Sequence, residues 1–86
     1  MGRHSITGIK YLNIDYQKKY KHTYNVRVVL FGKHFIVWSG DDIEIGKKVA
    51  EKVNELMSIG RSTFIDWYDN DMERWMIENG YKDANK

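Results

Sequence analysis

The sequence predicts an α+β domain: a three-stranded antiparallel sheet packed on an amphipathic helix and followed by a C-terminal helix. Three observations carry that expectation. Across residues 23–40, TYNVRVVLFGKHFIVWSG, two β-branched and aromatic runs flank Phe31-Gly32-Lys33, the pattern of two strands joined by a tight turn. Beyond residue 40 the period changes, and Ile43, Gly46, Ala50, Val53 and Met57 recur at three- and four-residue spacing, as on one face of a helix. The 86 residues, 14% of them aromatic, suffice for one small domain with one core.

Taken in order, residues 1–6 lack periodicity and read as a flexible basic arm, in which Arg3 and His4 are either idle or within reach of a phosphate backbone. Residues 7–14, TGIKYLNI, are rich in strand formers and give the first strand. The polar stretch 15–22, DYQKKYKH, reads as a connection. Its Lys18, Lys19 and Lys21 are either a solvated loop or a set of phosphate contacts that carry affinity without sequence information. In the second strand Val26, Val28 and Leu30 alternate with Asn25, Arg27 and Val29. The third places Phe35 and Val37 on one side and His34, Ile36 and Trp38 on the other. The second face of this hairpin therefore carries a guanidinium, an amide, an imidazole and an indole, where a purely structural sheet usually shows Thr, Ser, Lys and Glu.

Asp41, Asp42 and Glu44 suit a helix start, since short acidic side chains cap free amides and match the dipole. Gly46 on the apolar stripe implies close approach of helix to sheet, and Gly60 the end of the helix. A second helical pattern begins at Ser62 with Phe64, Tyr68, Met72 and Trp75 on one face. It either runs unbroken to Asn79 or bends at residues 69–71, and Gly80 ends it. The expected organisation is thus an arm (1–6), the sheet and helix (7–60), an aromatic helix packed on the same domain (61–80) and a tail (81–86). The aromatic stripe is a satellite core or, with Trp67 and Trp75, a homodimer or partner interface.

Charge divides the chain. Through Gly40 there are seven basic residues against one acidic, a net of +6; after it there are seven against eleven, a net of −4. A basic sheet joined to acidic helices is the distribution expected if the sheet meets a polyanion. There is no cysteine, hence no disulfide framework, and neither a leader nor a membrane span is legible, so a cytoplasmic location without membrane contact is expected. His4, His22 and His34 have no ligand spacing, and Asp69, Asp71 and Glu73 begin a calcium-loop pattern that Arg74 and Gly80 break. Without a phosphate loop or a recognisable nucleophile, no metal, no cofactor and no enzymatic activity are expected.

The residues also carry a resemblance. Gly8-Ile9-Lys10-Tyr11 opening the first strand, Tyr24-Asn25-Val26-Arg27-Val28 in the second, Gly32-Lys33 at the turn, and Asp41 before a helix with small residues at Gly46 and Ala50 together resemble the apetala/ethylene-response-factor DNA-binding domain. The likeness is greatest to the branch found in phages and mobile elements, where an acidic-aromatic segment similar to Phe64-Ile65-Asp66-Trp67-Tyr68 follows. It covers about two-thirds of the chain and rests on the order of these motifs. The resemblance implies a sheet laid in the major groove of double-stranded DNA, with Lys10, Asn25, Arg27, His34, Ile36 and Trp38 on the reading face and Lys18, Lys19, Lys21, Lys33 and Arg3 around it. On that reading Arg27 suits guanine, Asn25 adenine, and Trp38 a sugar or a thymine methyl. The function implied is that of a small regulator or recombination accessory factor in a bacterial host cell. The alternative is a phage-encoded protein-interaction module, an inhibitor of a host nucleic-acid machine, that uses the same fold and turns Ile36, Trp38 and the aromatic helix toward a protein.

Overall fold

The structure, a computed structural model, describes the backbone of residues 3–4, 8–18 and 21–82 and the side chains of residues 8–14 and 23–82. The chain forms two compact units, Met1–Asn54 and Glu55–Lys86. The class is α+β: strands β1 (Arg3–His4), β2 (Leu12–Lys18), β3 (Lys21–Leu30) and β4 (Lys33–Gly40) precede helices α1 (Ile43–Ile59), α2 (Arg61–Asn70) and α3 (Met72–Glu78). The division between the units falls within α1.

In the first unit the sheet order is β1-β2-β3-β4 and every pair is antiparallel. Three long strands make the expected sheet, but its boundaries differ from the sequence reading. Arg3 and His4, read as part of an arm, pair with Asp15 and Ile14 as a two-residue edge strand. The first long strand starts at Leu12 rather than residue 7, and most of the supposed connection 15–22 is strand, since Asp15 pairs with Thr23 and Tyr16 with His22. Ladder hydrogen bonds need no apolar side chain, so a strand that is polar on both sides leaves no hydrophobic alternation to detect. Ahead of β2 lies a turn, Ile9 to Leu12, closed by the Leu12 amide donating to the Ile9 carbonyl at 3.1 Å. Its third residue, Tyr11, has φ +74°, a position that usually takes Gly or Asn.

The β3–β4 hairpin closes on two residues, Phe31 (φ +53°) and Gly32 (φ +77°). Positive φ at both centres matches the right-handed twist of the flanking strands, and Asn-Gly is the usual pair. Gly32 takes this conformation readily. Phe31 does not, and a left-handed backbone costs a residue with a Cβ about 1–2 kcal/mol.

Cross-strand partners share a face, so the register sorts the side chains. Val26 and Val28 lie opposite Trp38 and Phe35, while Arg27 lies opposite Ile36, Val29 opposite His34, and Asn25 opposite both Asn13 and Ser39. The pairing slips between Val26 and Arg27, leaving Val37 as an extra residue in β4, a β-bulge. Beyond that bulge the alternation changes sides. Trp38, expected on the outer face, is instead on the inner one: a Cβ built on Gly46 of α1 would lie 2.9 Å from its Cζ3 and 3.0 Å from Leu12 Cδ1, and one on Gly40 would lie 2.8 Å from its Cζ2. The indole is held between two glycines, which is the close approach that Gly46 implied. Leu12, Val26, Val28, Val49 and Val53 are fully buried, and each contributes about 1.5–3 kcal/mol relative to an exposed side chain.

Helix α1 begins as its sequence suggests. The Asp42 carboxylate accepts from the amides of Glu44 (3.0 Å) and Ile45 (3.4 Å), satisfying donors that have no intrahelical partner.

In the second unit α2 follows α1 across Gly60 alone. The bend anticipated near residues 69–71 is the form adopted: Asp71, with φ −121° and ψ −16°, separates α2 from α3. The amide of Asp71 still donates to the Trp67 carbonyl and that of Trp75 to the Asp71 carbonyl. The expected stop at Gly80 has a definite geometry. With φ +79° there, Tyr81 donates to the Met76 carbonyl and Gly80 to that of Ile77, the paired bonds of a Schellman cap. Phe64, Trp67, Met72 and Met76 are buried. The Phe64, Trp67, Trp75 and Tyr81 rings form a chain at 6.2, 5.6 and 5.4 Å between centroids, the last two contacts edge-on. Trp75 and Tyr81 are half-buried.

Candidate nucleic-acid interface

The side of the sheet away from Gly46 is where the polar set collects. Its rows across the strands are Asn13-Asn25-Ser39, then Arg27-Ile36, then Val29-His34, whereas Lys33, opposite Leu30 at the hairpin end, belongs to the other face. Successive same-face residues along a strand are about 7 Å apart and neighbouring strands about 5 Å, so these side chains tile one surface that narrows to the two-stranded hairpin. Toward the turn the surface opens. His34, Ile36 and Ser39 are exposed and Arg27 is half-buried, while Val29 and Ile36 are 56% and 44% exposed. Between Asp15 and Asp41 the chain has no carboxylate. A guanidinium and an imidazole, with two aliphatic side chains beside them, can bind phosphate oxygens, hydrogen-bond acceptors on base edges and methyl groups, and the Lys33 ammonium is exposed at the hairpin end next to them.

The individual expectations fare differently. Arg27, His34 and Ile36 share the outer face, as alternation implied. Asn25 is on that face but 5% exposed, and its Oδ1 is buried without a hydrogen-bond partner. A buried amide offers no edge to a base at the surface, so Asn25 is corrected from a reading residue to an interior one. It occupies the central strand with Asn13 and Ser39 on either side, and Asn13, also buried, donates to the Tyr11 carbonyl. Trp38 leaves the set because the bulge turns it inward. Lys10 lies in the turn before β2 rather than in a strand, its ammonium 5.4 Å from the centroid of the Tyr11 ring, a cation–π distance. The side chains of Arg3, Lys18 and Lys21, and Lys19 altogether, lie outside the described residues.

One residue that the sequence reading left as mere turn is prominent. Phe31 is 77% exposed at the tip of the hairpin. The signal was a Phe-Gly pair where a two-residue loop ordinarily takes Asn-Gly. Among the described residues no three His, Asp or Glu gather as a metal site would require, and no helix is long and apolar enough to cross a membrane.

Comparison of the chain with family models, with curated proteins and with solved structures finds no match.

Proposed function

We propose that this protein binds double-stranded DNA through the outer face of its β3–β4 hairpin and acts as a small regulator or recombination accessory factor in the cytoplasm of a bacterial host. The observation that carries the reading is the convergence of Arg27 and His34 on one open surface, with Lys33 exposed at the end of the same hairpin, in a stretch without carboxylates. A two-stranded ribbon has the dimensions to enter the major groove, where a guanidinium can make two hydrogen bonds to guanine. Lys33, at the hairpin end, is placed for a phosphate, and Val29 and Ile36 for thymine methyls. The resemblance noted in the sequence points the same way, with Arg27 and His34 retained and Asn25 and Trp38 withdrawn from the contact set.

The exposure of Val29 and Ile36 favours a second reading, in which the same face docks on a protein of a host nucleic-acid machine. Selection from a pool of random duplexes separates the two. Enrichment of a motif of a few base pairs, with affinity falling steeply as salt rises, is the result expected of a DNA reader. Binding that shows no motif and vanishes by physiological salt overturns that reading in favour of the protein partner.

A further inference from the structure

We propose that Phe31 is a wedge that enters between two stacked base pairs, so that the hairpin deforms the duplex it binds. The inference rests on the DNA reading above and goes beyond it, from contact with the groove to distortion of the helix.

Three observations converge on this residue. First, its backbone is left-handed at φ +53° while its ring is 77% exposed; the strained position is occupied by a large apolar side chain that the fold does not bury, where Asn would serve the turn better. Second, the location is the projecting end of a two-stranded ribbon, with Val29 and Ile36 exposed behind it and Phe35, 36% exposed, on the opposite face. An apolar tip continued by an apolar shaft is the shape of an insertion element. Third, the surroundings are cationic: Lys33 is two residues away, Arg27 four, and no carboxylate occurs in residues 16–40. Charge of that sign complements a duplex, whose phosphates flank any step that the ring would enter, whereas an apolar protein pocket would call for none of it. Side chains of this kind inserted at a base step partly unstack it and kink the duplex by about 20–90°. Entry from the major-groove side would open that side and bend the DNA toward its minor groove.

The test uses the full chain and the duplex recovered by selection, with 2-aminopurine placed at each step in turn and the bend read by energy transfer between end labels. The wild-type protein is expected to raise emission severalfold at one step and to shorten the end-to-end distance. Phe31→Asn supplies the turn with its preferred residue, so its melting temperature should equal or exceed that of the wild type while the emission change and the bend are lost. Phe31→Leu, still an apolar wedge, should retain part of both. Wild-type protein that binds the site and leaves every step stacked refutes the wedge but not the reader, as does Phe31→Asn with the full emission change. Failure to bind any duplex refutes both.

Discussion

Substituting Gly46 with alanine sets two effects of known size against each other. In the interior of an ordinary helix the change gains about 0.8–1.0 kcal/mol, because glycine carries the larger backbone entropy in the unfolded chain. Here the new methyl would lie 2.9 Å from Cζ3 and 3.4 Å from Cη2 of Trp38, and 3.0 Å from Leu12 Cδ1. Leu12 meets it with a terminal methyl that can rotate away. Trp38 meets it with the rim of a rigid ring whose other edge is 2.8 Å from where a Gly40 Cβ would stand, so the ring has no room to retreat. Overpacking of this kind costs about 1–3 kcal/mol, leaving a net loss of about 1 kcal/mol and a fall in Tm of about 4–8 °C for a domain of this size. The decisive comparison is with Trp38→Phe, which removes the outer carbons of the indole. In that background Gly46→Ala should stabilise by about 1 kcal/mol, so the sign reverses and the coupling is about 2 kcal/mol. Urea titrations of the four proteins, followed by far-ultraviolet circular dichroism, measure it. Equal stabilisation in both backgrounds would refute the placement of Trp38 against α1.

Other expectations are simpler. Asp42→Ala should cost about 0.5–2 kcal/mol by releasing the Glu44 and Ile45 amides, read in the same titrations, and Asp42→Asn should restore most of it. On DNA, Arg27→Ala should lose about 1–3 kcal/mol on the selected site and relax discrimination at one base pair, whereas Lys33→Ala should weaken all sequences alike and lower the salt slope by about one. Identical losses on every duplex from both variants would leave only nonspecific attraction.

How far the sequence can be read depends on which signal each element leaves. Helix α1 was legible to its ends, because Asp42 caps it and its stripe repeats without interruption. The hairpin was legible through Phe31-Gly32, and the outward positions of Arg27, His34 and Ile36 followed from period two. That same period misplaced Trp38, since alternation counts residues and cannot register one that pairs with nothing. Strand β2 was hidden at Asp15 and Tyr16 because backbone pairing there leaves no mark on hydrophobicity. Asn25 was read from its face alone, and burial depends on neighbours that a one-dimensional pattern does not contain. Phe31 was visible as a residue and invisible as a problem, because its cost arises only once the turn is known to need positive φ at both centres.

The extra residue at Val37 gives β4 a change of parity. On its hairpin side the outward positions are even-numbered, His34 and Ile36; on its helix side the outward position is odd, Ser39. A chain derived from this one by deleting residue 37 would lose the bulge yet keep every other pairing of the strand, with Ile36 outward and the indole still inward between Gly40 and Gly46; it is residue 37 kept in a regular ladder that would send the indole outward. Any relative aligned to this strand by hydrophobicity alone will match one half and be out of step in the other. In comparing surfaces among such chains, the two halves of β4 must be indexed separately.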